Sequence, residues 1–224
     1  AYHIKKDNPS LDVLLVDGEY SCGQANTSKS VAMIRDTFTS DVSRALAHST
    51  ITEYKRLTDS GTEIGLNQMM YLWLFGKEQN ERNSGAIRDM QESGLDISLM
   101  GADEISRLAP NVILRPEDEE SRAYGVSPIE AGLLCRNCYS VDPIAITSNY
   151  VARFKELGGN VCYDFKVTDF LFRPLDPLMY ECEEIPDQPF PHQAQKVAGV
   201  RNTDCTIEAD ATVLATGAWS RELT

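Results

Sequence analysis

Ser10-Leu11-Asp12-Val13-Leu14-Leu15-Val16-Asp17-Gly18 is the stretch whose reading decides the fold. Val13 to Val16 is apolar without alternation, so both faces of this strand are expected to be buried, as in a central parallel strand of an α/β sheet. Ala1-Tyr2-His3-Ile4-Lys5-Lys6 precedes it as a helical turn or two, stopped by Asn8-Pro9. An acid, Asp17, stands at the strand's carboxyl end. Helix, strand and acid form the second half of a dinucleotide-binding βαβ unit, in which that carboxylate accepts the ribose hydroxyl hydrogens. The glycine fingerprint of such a unit belongs about 20 residues before the acid. Counting back from Asp17 runs past Ala1, so the first strand and the Gly-rich turn are expected upstream of it.

A chain of 224 residues can bury a real core, as one large domain or two interleaved ones. Hydrophobic residues at 42% and charged residues at 25% describe an ordinary globular protein. The net charge of −13 argues against nucleic acid or anionic membrane as a partner, because phosphate binding needs concentrated Lys and Arg. No apolar run approaches the ~20 residues of a membrane span. Six scattered cysteines suit a reducing cytoplasm better than a disulfide scaffold, so a cytoplasmic location is expected.

Along the chain, Gly18 to Thr39 reads as a polar loop leading into a short helix at Val31–Arg35. Ser40 caps the next helix, with Val42, Leu46, Tyr54 and Leu57 as its apolar stripe and Ser60-Gly61 as its stop. Met69-Met70-Tyr71-Leu72-Trp73-Leu74-Phe75 is aromatic-rich, strand-length and ended by Gly76, hence a strand. Lys77 to Ser93 is a polar helix stopped by Gly94, followed by a strand at Ile97–Met100 and a helix at Ala102–Leu108. Glu117-Asp118-Glu119-Glu120 reads as solvated loop. Asp142-Pro143 starts a helix with Ile146, Tyr150, Phe154 and Leu157 as its stripe, closed by Gly158-Gly159. Val161, Tyr163 and Phe165 alternate as a strand that leads on to Val167 and Phe170-Leu171-Phe172. Pro174, Pro177, Pro186, Pro189 and Pro191 mark 173–195 as an elaborated connection with a strand at Met179–Cys182. Val197–Val200 and Thr212–Leu214 are the last expected strands, the second running into Ala215-Thr216-Gly217-Ala218-Trp219-Ser220.

Leu14-Leu15-Val16-Asp17, Thr27-Ser28-Lys29-Ser30-Val31-Ala32-Met33-Ile34-Arg35, Val141-Asp142-Pro143, Gly158-Gly159-Asn160-Val161 and the closing Ala-Thr-Gly-Ala-Trp-Ser occur in an order that resembles the D-amino-acid-oxidase-like flavoenzymes. Sarcosine, dimethylglycine and glycine oxidases belong to that family. The resemblance implies a mixed α/β fold: a Rossmann-like FAD-binding layer interleaved with an antiparallel substrate-domain sheet. Residues 1–60 and 141–224 would serve FAD and 61–140 the substrate. It implies FAD as cofactor, with Asp17 at the ribose and Thr27, Ser28 and Ser30 in the turn near the pyrophosphate. Ala32 and Met33 would lie where the backbone passes the flavin ring, usually as glycines. Val167 would face the adenine through its backbone, and Thr216-Gly217 would form a turn near the cofactor. Arg35 matches an Arg that helps hold the substrate carboxylate in sarcosine oxidases, a task suited to a fixed guanidinium.

The implied activity is FAD-dependent oxidation of a C–N bond in an amino acid or secondary amine, giving an imine that hydrolyses, with electrons passed to oxygen, quinone or a partner protein. A 2-hydroxy-acid dehydrogenase and a non-catalytic flavin-binding subunit are the alternatives. No catalytic residue is assigned. Read without the resemblance, Asp17 is equally a loop acid, and Thr27, Ser28 and Ser30 equally a capping turn. Cys135-x-x-Cys138 has no second pair at zinc spacing and reads as ordinary thiols, so no metal is expected. Arg35 is equally an ion-paired surface residue, and Trp73 with its aromatic neighbours reads first as core, with a strand facing the substrate as the alternative.

Overall fold

The computed structural model describes residues 1–186 and 188–223. It is a mixed α/β chain whose contacts separate two compact units, Ala1–Gln24 with Tyr150–Thr224, and Ala25–Asn149. Those divisions differ from the expected breaks at residues 60 and 140. Residues 25–60 belong with the second unit because their strand is hydrogen-bonded into its sheet.

The first unit opens with α1 (Tyr2–Asp7) and β1 (Leu14–Val16). Between them the buried Lys5 Nζ donates to the carbonyls of Pro9 and Leu11 at 2.9 and 2.6 Å, which fixes the approach to the strand. β1 is not the doubly buried central strand expected from its apolar run. Leu14 is 41% exposed, because β1 finds a ladder on one side alone among the described residues.

The second unit is built on an antiparallel sheet. β2 (Met33–Arg35) stands where a short helix was expected. Ala32 has φ +51°, which ends any helical run before it forms, and Met33–Arg35 pair with Cys138–Ser140 instead. α2 (Asp41–Asp59) starts as expected, with Ser40 Oγ accepting the Ser43 N–H at 3.4 Å. Its buried stripe lies later than expected: Ile51 and Leu57 are buried, whereas Val42 and Leu46 are 69% and 65% exposed. β3 (Asn67–Phe75), α3 (Lys77–Glu92), β4 (Ile97–Gly101) and α4 (Ala102–Leu108) follow the sequence reading closely. The acidic run is not all loop. Asp118 caps α5 (Glu119–Ala123), and its bonds from the Ser121 hydroxyl and N–H hold its carboxyl below the usual range. Glu119 and Glu120 then sit in the first turn, where the helix dipole favours acids.

β5 (Ala131–Ser140) is the strand the sequence reading passed over, and it is the centre of the sheet. β3 covers one side of it, while β4 pairs with Ala131–Cys135 and β2 with Cys138–Ser140 on the other. Two β5 residues, Arg136 and Asn137, stand against the single Met70, a bulge that turns Cys135 and Cys138 into one buried cluster with Ile87, Met90, Ile97 and Leu133. Thr37 Oγ1 donates to Cys135 Sγ at 2.7 Å, and burial pushes both thiols up, so they are inert packing groups as read.

The chain passes from one unit to the other within α6 (Pro143–Glu156), whose start Asp142 caps by accepting the Ile144 and Ala145 N–H groups at 2.8 and 2.9 Å. β6 (Asn160–Cys162) pairs in parallel with β1, residue for residue from Leu14↔Asn160. β7 (Asp169–Pro174), β10 (Gln195–Arg201) and β11 (Thr206–Glu208) make a separate antiparallel sheet. Inside the proline-rich connection, β8 (Met179–Tyr180) and β9 (Glu183–Glu184) form a hairpin. Glu181 and Cys182, expected to extend the strand, take φ +49° and +70° and make its turn. Thr212–Leu214 forms no strand. An apolar run becomes a strand only with a ladder partner, and among the described residues none reaches Val213, which is 71% exposed. The strand expected at Thr212–Leu214 is therefore not formed. A 3₁₀ turn (Gly217–Trp219) and α7 (Ser220–Leu223) complete the described chain.

Gly159 closes α6 for a packing reason. A Cβ there would lie 2.2 Å from Phe154 Cε2, and Phe154 is fully buried. Gly159→Ala is expected to destabilise the protein by about 1–3 kcal/mol through overpacking, measured as a lower denaturation midpoint at unchanged slope.

Candidate functional site

The candidate residues fall into the two units, and each group is held by its own local structure. In the second unit the decisive residue is Arg35. As the last residue of β2 it pairs with Cys138, and its half-buried side chain crosses to the aromatic residues of β3. The guanidinium carbon lies 5.1 Å from the Phe38 ring centroid, 5.3 Å from Tyr71 and 5.0 Å from Trp73. Tyr71 and Trp73 are themselves 4.2 Å apart. Three ring faces thus surround one cation, each within cation–π range. No carboxylate pairs with Arg35 among the described residues, and its Nε is buried without an acceptor. The rings fix the plane of the guanidinium yet offer it no hydrogen-bond acceptor. Such a fork is ready for a planar anion. Trp73 and Tyr71, read from the sequence as core, do pack against the buried cluster of Cys135 and Cys138, and they also form walls of this box. What identifies them is the β3–β5 register, which depends on the bulge.

The flanking segment is ordered by short-range bonds. Lys29 N–H donates to the Asn26 carbonyl at 3.2 Å, Ser30 N–H to the Thr27 carbonyl at 3.4 Å, and Ser28 Oγ to the Ala25 carbonyl at 3.2 Å. Ser30 Oγ accepts the Ala32 N–H at 3.2 Å. Thr27, Ser28 and Ser30 therefore make an exposed local turn, with their hydroxyls partly engaged by their own backbone. Ala32 then adopts φ +51° while its carbonyl accepts the Val141 N–H at 3.1 Å, and Met33 begins the ladder.

In the first unit Asp17 stands directly after β1, as read. Its N–H donates to the Cys162 carbonyl, its own carbonyl accepts from the Phe165 N–H, and its Oδ1 accepts the Glu19 N–H, all at 3.0 Å. Next to it, a Cβ on Gly18 would meet Lys166 Cα at 3.3 Å, so the backbone of 165–167 runs tightly against the Asp17-Gly18 turn. Asp17 and Val167, far apart in sequence, are thereby brought to one end of the β1–β6 pair. Burial first, and then Cys22, push the nearby Tyr163 phenol up. Thr216 and Gly217 lie elsewhere in the same unit, in an exposed turn where Gly217 has φ +56° and the Thr216 and Ser220 hydroxyls are 3.0 Å apart. Among the described residues no group of His, Cys, Asp or Glu is arranged to hold a metal ion.

A half-open carboxylate at a strand end is a group that can accept hydrogen bonds from a hydroxylated ligand. The chain belongs to the FAD-dependent oxidoreductase family designated DAO, whose family model it matches over residues 1–224. FAD is the cofactor of that family. Among solved structures it is similar to L-proline dehydrogenase from P. horikoshii, with a TM-score of 0.70 and 17% identity over 99% of this chain and 50% of that one. Glycine oxidase from Geobacillus kaustophilus matches with a TM-score of 0.69 and 15% identity over 99% and 52% of the two chains. L-amino acid deaminase from Proteus myxofaciens matches at 0.65 and 16% over 98% and 43%. The chain thus spans about half the length of these structures. No curated protein sequence matches it. No helix among the described residues is long and apolar enough to cross a membrane.

Ala32 occupies a left-handed conformation at a position where the family resemblance expects glycine, and an L-residue there carries a penalty of about 1–2 kcal/mol. Ala32→Gly removes it but adds freedom to the unfolded chain, so a net gain of roughly 0.5–1 kcal/mol is expected in chemical denaturation.

Proposed function

We propose that the protein carrying this chain oxidises a C–N bond in an amino acid or secondary amine of the sarcosine, dimethylglycine or glycine type, and that Arg35 holds the substrate carboxylate. The observation that carries this reading is the guanidinium boxed by Phe38, Tyr71 and Trp73 with no acidic partner among the described residues. An Arg kept for stability is normally paired or exposed, whereas this one is oriented, half-buried and left without an acceptor at Nε.

Bound FAD would supply the redox chemistry, accepting a hydride equivalent from the carbon of the C–N bond while the nitrogen gives up a proton, which leaves an imine for water to hydrolyse. The chain's own residues bind and orient. Asp17 accepts the ribose hydroxyl hydrogens, and Val167 faces the adenine through its backbone. Thr27, Ser28 and Ser30 form the turn near the pyrophosphate. Ala32 and Met33 carry the backbone past the flavin ring, and Thr216-Gly217 supplies a second turn at the cofactor. On this reading residues 1–60 and 141–224 serve the cofactor and 61–140 the substrate. The electrons go on to oxygen, quinone or a partner protein, and the protein acts in the cytoplasm.

Arg35→Met in the FAD-loaded protein is expected to raise the KM for its amino-acid substrate by roughly 10–100-fold, the value of a charge-assisted bidentate pair, with the flavin retained. Arg35→Lys recovers charge but not the fork, and should fall between the two. An unchanged KM in both variants rejects the role. A 2-hydroxy acid presents the same carboxylate, so the product decides between the two chemistries: an amine substrate gives either formaldehyde with the demethylated amino acid or a 2-oxo acid with the released amine, whereas a 2-hydroxy acid gives a 2-oxo acid and no nitrogen product. Asp17→Ala tests the cofactor half separately. Loss of the ribose bonds is expected to weaken FAD retention by about 10-fold or more, read as flavin lost on dialysis.

A further inference from the structure

We propose that the cleft between α2, the carboxyl end of α3 and the β2–β5 junction binds a small zwitterion, its ammonium toward Asp36 and its carboxylate toward Lys55. The cleft is an open groove of about 610 Å³, and Arg35 is not part of its wall.

The charges around it do not cancel internally. Arg44 is engaged by Asp41, by the carbonyls of Phe38 and Thr39 at 3.1 Å each, and by Ser93 Oγ. Arg136 is engaged by Asp96 at 3.3 Å and Ser98 Oγ at 2.8 Å. Two charges remain. Asp36 is only 8% exposed, and its Oδ1 is buried with no donor. Its Oδ2 accepts from Asn137 Nδ2, and His48 Nδ1 stands 3.9 Å from that oxygen, beyond hydrogen-bond range but within reach of an ion pair when the imidazole is protonated. Lys55 Nζ lies 4.7 Å above the Tyr139 ring, and no carboxylate pairs with it among the described residues. A carboxylate withdrawn from water and incompletely bonded leaves a negative potential that a mobile cation relieves. The carboxyl end of the 16-residue α3, reaching the cleft at Ser93 and Gly94, adds to it through the helix dipole.

A simple cation would answer Asp36 and ignore Lys55; a simple anion would meet Asp36 as a like charge. A molecule carrying both an ammonium and a carboxylate, of which an α-amino acid is the smallest kind, satisfies both ends. The site is independent of the role given to Arg35. Arg35 leaves β2 toward the aromatic box, while Asp36, the next residue, leaves toward the cleft.

The test uses the FAD-loaded protein, reduced and kept anaerobic so that nothing turns over, with labelled glycine in equilibrium dialysis. Arg35→Met provides the background, so that only the cleft is counted. One equivalent of glycine is expected to bind, with methylammonium and acetate each about 10-fold weaker or worse, since each meets one charge only. Lys55→Met and Asp36→Asn are each expected to weaken glycine by about 10-fold or more. Lys55 is exposed, so its loss leaves the fold and the flavin content intact and keeps the test decisive if Asp36→Asn proves unstable. No glycine bound in the Arg35→Met background, or binding that Lys55→Met leaves unchanged, overturns the proposal. Failure of the Arg35 reading shows differently: the wild-type and Arg35→Met proteins would then bind equal amounts.

Discussion

β5 has no free edge, and the second unit depends on that. Along one side it is paired by β3 from Ala131 to Ser140, and along the other by β4 and then β2. Both faces are filled as well: Leu133, Cys135 and Cys138 are packed in the cluster with Ile87 and Met90, and a side chain at Gly132 would strike Leu72 and Ile105 at 3.0 and 3.2 Å. A three-residue strand such as β2 has no stability of its own. It exists because Cys138–Ser140 offers it a ladder, so Arg35 is placed by β5 rather than by its own sequence neighbours.

This dependence explains what was legible in the sequence. Elements with local signals were read correctly: Ser40 at the start of α2, Asp142-Pro143 at the start of α6, and Gly94 after α3, which has φ +81° as a helix-ending glycine should. Elements defined by distant partners were not. β2 read as helix because Val31–Arg35 has no strand period, and its state is decided by residues about a hundred positions away. β5 was passed over because Ala131-Gly132-Leu133-Leu134-Cys135-Arg136-Asn137-Cys138 lacks both alternation and a β-branched residue, and its bulge shifts the period halfway along. Thr212–Leu214 failed in the opposite sense, with the right composition and no partner strand.

The candidate residues divide in the same way. The position of Asp17 was readable because it depends only on the end of the strand that precedes it, and the Gly18–Lys166 contact brings Val167, expected from the family resemblance, to the same end of the β1–β6 pair. Arg35 was readable as a position, but its environment was not. The rings that hold it come from β3, and their alignment with β2 runs through β5 and the Arg136-Asn137 bulge. One extra residue in a central strand therefore sets both the aromatic box and the opposite cleft, since Asn137 bonds Asp36 and Arg136 reaches Asp96.

Arg35 ends β2 and Asp36, of opposite charge, follows it directly, and the fold keeps the two from neutralising each other. In an extended chain neighbouring side chains leave on opposite faces, so the sheet itself separates them. The cation receives ring faces, which attract its charge without accepting its protons. The anion receives one amide donor and a cleft. A direct ion pair would satisfy both more cheaply and serve stability just as well. Holding both apart, each incompletely bonded and only partly in contact with solvent, makes sense for a protein in which those charges are meant to meet something other than each other.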